Sequence, residues 1–283
     1  MIVNRKVAVI TGAASGIGLA LAKACIIDGM NVVMVDIIGS ALDQQTKYLS
    51  ETAQTSILGV VCDVANPEQV KQLVKQTLDR FYRIDLLINN AGIIGHLAPV
   101  WELSTEHIRH VLDVNLYGVL HCVQAFLPVM FEQQHRSQIV NMASFYGLCS
   151  GSQIAAYAMS KHGIVALSES LFFDLQRLQK PVDISVVCPS FTNTQLLVNS
   201  APFNQAGVHN RVEHLMKRSR SAEDVADYIL REIKNKSFYI LPDKEVKSYC
   251  EQRTKAIIEQ ANPHEHSLEK IFASLSIEVE KLA

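Results

Sequence analysis

Short, nearly continuous apolar runs recur along the chain, separated by longer segments whose apolar positions return at helical spacing. Val7-Ala8-Val9-Ile10 is the first run, Asn31-Val32-Val33-Met34-Val35 the second, and a third ends at Cys62-Asp63-Val64. Leu86-Leu87-Ile88, Ile139-Val140-Asn141-Met142-Ala143, Ile184-Ser185-Val186-Val187-Cys188 and Phe238-Tyr239-Ile240-Leu241 continue the series. Runs of this kind signal strands buried on both faces, as in parallel sheets. The intervening segments read as helices, among them Leu19–Ile27, Ser104–Asp113, Leu116–Phe131 and Ser152–Gln179. Strands alternating with helices predict an α/β fold with helices on both faces of a parallel sheet. Right-handed crossovers then give a doubly wound, seven-stranded sheet in the order 3-2-1-4-5-6-7.

The first strand runs into Thr11-Gly12-Ala13-Ala14-Ser15-Gly16-Ile17-Gly18 and then into a helix. Strand, glycine turn and helix together present backbone N–H groups and a helix N-terminus to a pyrophosphate. Gly12 permits the tight turn, Gly16 lets the backbone approach phosphates, and Gly18 lets the helix sit close to the sheet. The spacing is G-x-x-x-G-x-G, unlike the general G-x-G-x-x-G dinucleotide fingerprint. Asp36 ends the second strand, where an acid accepts hydrogen bonds from the adenosine ribose. A 2′-phosphate there would meet a carboxylate. The following Ile37, Ile38 and Gly39, and Ser15 inside the turn, carry no positive charge. These residues predict NAD rather than NADP.

Tyr157-Ala158-Met159-Ser160-Lys161 places a phenol and an ammonium four apart, on one face of a helix. A phenol has an unperturbed pKa of about 10. A fixed ammonium nearby favours the phenolate, which predicts a lowered Tyr157 pKa and a proton donor and acceptor usable near neutral pH.

With these motifs in order and Ser144 ending the fifth strand, residues 4–242 resemble the short-chain dehydrogenase/reductase family. The resemblance implies a Rossmann-type domain over residues 1–242, with 243–283 a helical extension packed on it. It implies that Thr11 to Gly18, with Ser15, Gly16, Ile17 and Gly18 at its tip, is the cofactor turn. Asp63 and the Val64 backbone would hold the adenine, and Asn89-Asn90-Ala91-Gly92 would be the family's Asn-Asn-Ala-Gly motif after the fourth strand. Asn115, Ser144, Tyr157 and Lys161 would form the catalytic tetrad. Tyr157 would remove the proton of an alcohol as hydride leaves for NAD, and Ser144 would polarise the oxygen. Lys161 would lower the Tyr157 pKa and hold the nicotinamide ribose. Asn115 would position Lys161 and a water chain. After the sixth strand the family has Pro-Gly; here it is Pro189-Ser190. Pro189 to Thr194 would still meet the nicotinamide amide, with Thr192 and Thr194 as contacts. About 40 residues follow Pro242, which sets the chain apart from ketoacyl reductases of fatty-acid synthesis.

Expected pocket residues Phe145, Tyr146, Leu148, Cys149, Ile154, Phe191, Leu196 and Leu197 are mostly apolar, pointing to a hydrophobic secondary alcohol or ketone as the small-molecule partner. Thr192 to Arg220 reads as a substrate-binding loop. The tail reads as two helices divided at Asn262-Pro263-His264. A net charge of −2 gives no electrostatic case for nucleic acid or an acidic membrane surface. No leader peptide is expected ahead of Arg5-Lys6, and no apolar stretch long enough to span a bilayer. The six cysteines contain no C-x-x-C pair and read as buried thiols in a reducing compartment, the cytoplasm. His107 and His110 lack supporting metal ligands, so no metal is expected. Wide apolar helix faces predict a homodimer or homotetramer. Two other functions use the same scaffold: an epimerase or dehydratase with tightly held NAD, and an NAD-binding sensor or scaffold without turnover.

Overall fold

The computed structural model of the chain describes residues 5–194, 196 and 219–263. Seven parallel strands are β1 (Val7–Thr11), β2 (Asn31–Asp36), β3 (Ile57–Val61), β4 (Leu86–Asn89), β5 (Ser137–Met142), β6 (Val182–Val187) and the short β7 (Tyr239–Ile240). Their order is β3-β2-β1-β4-β5-β6-β7, as the sequence predicts for right-handed crossovers. Register is regular, with Val9 beside Val33 and Leu87, and Asn89 beside Asn141.

Eight α-helices complete the described chain: α1 (Gly16–Ile27), α2 (Gly39–Ser50), α3 (Pro67–Phe81), α4 (Thr105–Leu112), α5 (Gly118–Glu132), α6 (Ala155–Arg177), α7 (Ala222–Lys234) and α8 (Lys244–Ile258). Local chemistry sets several of their ends. Asn66 caps α3 by accepting from Glu68 N and Gln69 N, Pro67 takes its first turn, and Tyr82 closes it in the left-handed conformation. Ser221 caps α7 through Asp224 N.

Alternate strand residues point to opposite faces, so the sheet carries two cores. On one face Val7, Val9, Val33, Val35, Leu87, Ile139 and Ile184 pack against Val70 and Leu73 of α3, Phe126 and Met130 of α5, and Ile164 of α6. On the other, Ala8, Ile10, Val32, Met34, Ile88 and Val140 meet Leu21 and Cys25 of α1, Leu42 of α2, and Val225, Ile229 and Ile233 of α7. Fully burying a Val, Leu or Ile side chain contributes roughly 1.5–3 kcal/mol. A smaller third cluster sits beyond the C-terminal strand ends, where Val246, Tyr249 and Cys250 of α8 pack with Phe145, Tyr146 and Tyr157.

Thr105–Glu132 is one helical stretch, long and apolar enough by length and composition to cross a bilayer, unlike the sequence expectation. Its apolar side is the α5 wall of the core, with Phe126 and Met130 fully buried against the sheet. Between α4 and α5 the stretch widens into a π-turn at Asp113–Tyr117. The second expected tail helix and nearly all of the loop between Thr194 and Ser219 lie outside the described residues.

Candidate active site

The C-terminal ends of β1 to β4 surround an open cleft of about 1260 Å³, lined by Gly12, Ser15, Gly16, Ile17, Asp36, Asp63, Val64, Asn90, Ala91 and Gly92 among others. Gly12 and Gly16 have φ of +64° and +53°, left-handed values that a Cβ disfavours. Gly18 has no room for one: an added Cβ would lie 2.1 Å from Gly12 O and 2.5 Å from Asn90 Nδ2. Ser15 is the N-cap of α1 and makes no side-chain cap bond, and the first N–H groups of α1 have no intrahelical partner. Turn and helix end thus form the anion cradle that a dinucleotide pyrophosphate requires.

The end of β4 is fastened to this turn. Thr11 Oγ1 accepts from Asn90 N at 2.9 Å and Ala91 N at 3.0 Å, while Asn90 Nδ2 donates to Thr11 O at 2.9 Å and Gly12 O at 3.2 Å. Asn90 therefore acts first on the turn itself, a role its place in the sequence motif does not reveal. Asp36 Oδ2 accepts from Ala14 N and Oδ1 from Ile38 N, each at 3.0 Å, which fixes the carboxylate at the cleft edge. Asp63 Oδ1 accepts from Ala65 N at 2.9 Å, and Val64 packs beneath Gly118.

The four expected catalytic residues come together where β4, β5 and β6 end. Tyr157 and Lys161 lie on α6 and are both buried. Tyr157 and Ser144 line the same cavity, and Ser144 caps a 3₁₀ turn at Phe145–Gly147 by accepting from Tyr146 N. Lys161 Nζ donates to Met142 O at 2.8 Å and lies 5.5 Å from the centre of the Tyr157 ring. Asn115, fully buried in the π-turn, grips Ile93 from both sides: its Oδ1 accepts from Ile93 N and its Nδ2 donates to Ile93 O, each at 2.8 Å. Its Nδ2 also donates to Ser160 Oγ at 3.0 Å. Asn115 Oδ1 and Lys161 Nζ both border Gly92, at 3.1 and 3.5 Å from where a Cβ would stand.

Electrostatics correct one expectation. Burial pushes the Tyr157 phenol up to about 12, although the Ser144 hydrogen bond lowers it. Burial also brings the Lys161 ammonium down to about 8. Desolvation disfavours both charged forms, and spacing along a helix carries no information about it.

Against this wall lies a second, partly open cavity. Phe145, Tyr146, Ile154, Phe191 and Leu196 line it as the sequence predicts, joined by Ile94 and Leu97; Leu148 and Cys149 are not among its lining residues. Leu197 lies outside the described residues. Lys161 is the one charged side chain among the described lining. Ile17, Asn90, Gly92, Thr194 and Leu196 line both cavities, so the two adjoin. Pro189 and Thr192 border the second, and Pro189 O accepts from Phe145 N at 2.8 Å.

A family model described as short chain dehydrogenase matches residues 6–205. The chain belongs to this family. Among short-chain dehydrogenases it is 30% identical over 282 residues to the CLA biosynthesis dehydrogenase/reductase of Lactiplantibacillus plantarum, covering 94% of this chain and 98% of that protein. It is 35% identical over 200 residues to human 15-hydroxyprostaglandin dehydrogenase [NAD(+)], covering 70% and 72% of the two chains. The crystal structure of a short-chain dehydrogenase/reductase from Burkholderia phymatum in complex with NAD superposes with a TM-score of 0.85 at 33% identity, over 93% of this chain and 97% of that one. Sequence reasoning missed several hydrogen-bond partners of the candidate residues: Thr11 for Asn90, Met142 for Lys161 and Ser160 for Asn115, which are set by strand register and helix packing.

Proposed function

We propose that this short-chain dehydrogenase interconverts a hydrophobic secondary alcohol and its ketone with NAD. The observation that carries the reading is the grouping of Tyr157, Ser144 and Lys161 in the lining of an apolar cavity that adjoins the glycine-turn cleft. Left-handed Gly12 and Gly16, the close-packed Gly18 and the fixed Asp36 carboxylate suit the adenosine and pyrophosphate of NAD. Asp36 disfavours a 2′-phosphate. Two of the similar proteins above are named with NAD.

NAD, when bound, supplies the hydride acceptor or donor. The chain's own groups handle the proton and the geometry. Ser144 and Tyr157 hydrogen-bond the substrate oxygen. In oxidation the Tyr157 oxygen would take the hydroxyl proton of the alcohol, whose hydride the bound cofactor would accept, leaving the ketone. In reduction the protonated phenol, favoured by its raised pKa, returns that proton. Ser144 steadies charge on the oxygen in both directions. Lys161 keeps a positive charge beside the phenol and toward the cofactor ribose. Asn115 keeps the Gly92–Ile93 backbone in place beside Lys161. Apolar lining with one charged side chain favours substrates without charge near the reacting carbon.

A homodimer or homotetramer is part of the same proposal, supported by Met159 and Phe173 on α6 and Tyr117 before α5, apolar residues exposed on the surface. Cytoplasmic location is supported by six free cysteines, five of them buried. A panel of hydrophobic secondary alcohols assayed with NAD⁺ and NADP⁺ tests the function. Turnover with NAD⁺ at least about tenfold above NADP⁺ is expected, from the charge-assisted bonds Asp36 offers the ribose; preference for NADP⁺ would overturn the reading of Asp36.

A further inference from the structure

Ser190 stands where the family resemblance predicts glycine, and its amide is held: Ser190 N donates to Asp243 Oδ2 at 2.7 Å. Asp243 is only 6% exposed and is the residue from which α8 starts. Its other oxygen faces Arg220, whose Nη1 lies 3.7 Å from Asp243 Oδ1. That guanidinium is itself anchored, donating to Pro242 O at 2.7 Å and to Asp224 O at 3.3 Å. The Arg220 backbone continues the arrangement. Its O accepts from Asn193 N at 2.9 Å, and Thr192 pairs with Arg220 in a parallel bridge.

The segment Pro189–Thr194 is therefore held at Pro189 by Phe145 N, at Ser190 by Asp243, and at Thr192 and Asn193 by the Arg220 backbone. Pro189, Ser190, Phe191, Thr192 and Thr194 of this segment line the same cavity as Tyr157 and Ser144. Thr194 reaches the glycine turn, its methyl 3.2 Å from where a Cβ on Gly16 would stand. Neither Arg220 nor Asp243 lines either cavity, so both act at one remove. Burial raises the Asp243 carboxyl, while the Ser190 amide and the Arg220 guanidinium pull it back toward the charged form. A buried carboxylate with two such partners is a costly group to keep unless it fixes a geometry.

We propose that Asp243 and Arg220 are positioning residues that set Pro189–Thr194 against the nicotinamide end of the cofactor, making the start of the C-terminal helix a support for that half of the site. The proposal rests on the NAD dehydrogenase reading. It predicts asymmetry: disturbing the pair loosens the nicotinamide half and leaves the adenosine half, built from β1 to β4, untouched.

The test titrates wild type, Asp243→Ala, Asp243→Asn and Arg220→Ala with NADH and, separately, with ADP-ribose, which lacks the nicotinamide. Asp243→Ala leaves the Ser190 amide without its acceptor, and NADH affinity is expected to fall about tenfold. ADP-ribose affinity is expected to stay within about twofold of wild type, because that half keeps its contacts. Asp243→Asn keeps an acceptor for Ser190 N and is expected to recover most of the NADH affinity. Equal losses for both ligands, or no loss for NADH, overturns the proposal. Should Asp243→Ala fail to fold, Arg220→Ala carries the same comparison: it removes the guanidinium that faces Asp243 and is expected to lower NADH affinity while ADP-ribose affinity stays within about twofold of wild type. A wild type that binds neither ligand overturns the NAD reading and this proposal with it; a wild type that binds NADH, matched by variants that bind it equally, overturns this proposal alone.

Discussion

Replacing Lys161 with methionine is expected to make the folded chain more stable at neutral pH while removing its turnover. The ammonium is 4% exposed, and burial brings its pKa from 10.5 down to about 8. In the unfolded chain the group titrates near its ordinary value. Between the two values the unfolded state binds more protons, so stability rises with pH across that window. The penalty on the fold is complete below about pH 8 and gone above about pH 10.5. At pH 7 it amounts to roughly 3 kcal/mol. Methionine keeps much of the length and apolar bulk but removes the donor to Met142 O, worth about 1 kcal/mol. The net gain expected for Lys161→Met is therefore about 2 kcal/mol at pH 7. Near pH 10 the wild-type penalty has shrunk to about 1 kcal/mol, so the gain disappears. Urea unfolding of both proteins at the two pH values measures this, because groups common to both cancel in the difference. A variant less stable than wild type at pH 7, or a gain of the same size at both pH values, would refute the reasoning.

Gly18→Ala should cost about 3 kcal/mol, because its Cβ would meet the fixed backbone oxygen of Gly12 at 2.1 Å. Gly39→Ala, whose Cβ meets only Val61 Cγ2 at 3.2 Å, should change stability little in the same thermal melts. Asn115→Ala strips partners from both the N–H and the C=O of Ile93 and should cost about 3 kcal/mol, with a loss of turnover larger than the loss of NADH affinity. Equal stability of Asn115→Ala and wild type in urea would show that Ile93 finds its partners elsewhere.

Strand order was legible because each strand is a nearly unbroken apolar run: all five residues of β1 and the four central residues of β2 are buried. Asp36, Ser144 and Tyr157 were legible because a polar residue that ends such a run, or repeats at helical spacing beside one, stands out. The π-turn was not. Its residues Asp113–Tyr117 have ordinary helical character, and the sequence splits them between two helices. Only the packing of Asn115 against Ile93 and Ser160 shows why the helix widens there. Pro128 lies inside α5 without dividing it, as the helical reading of Leu116–Phe131 requires. The direction of the Tyr157 shift was illegible for a different reason: it depends on three-dimensional burial. Asp243 is only the first residue of the tail in sequence, and its reach to Ser190 spans 53 positions that only the fold brings together.

The most direct measurement is NADH formation from a secondary alcohol that the wild type turns over, compared with Tyr157→Phe, together with the affinity of each protein for NADH. The phenylalanine variant keeps the ring against Tyr146 and loses only the hydroxyl that meets Ser144. Turnover reduced roughly 10³-fold, with NADH affinity unchanged, is the predicted result. Turnover within about tenfold of wild type would contradict the assignment of Tyr157 as the group that moves the proton.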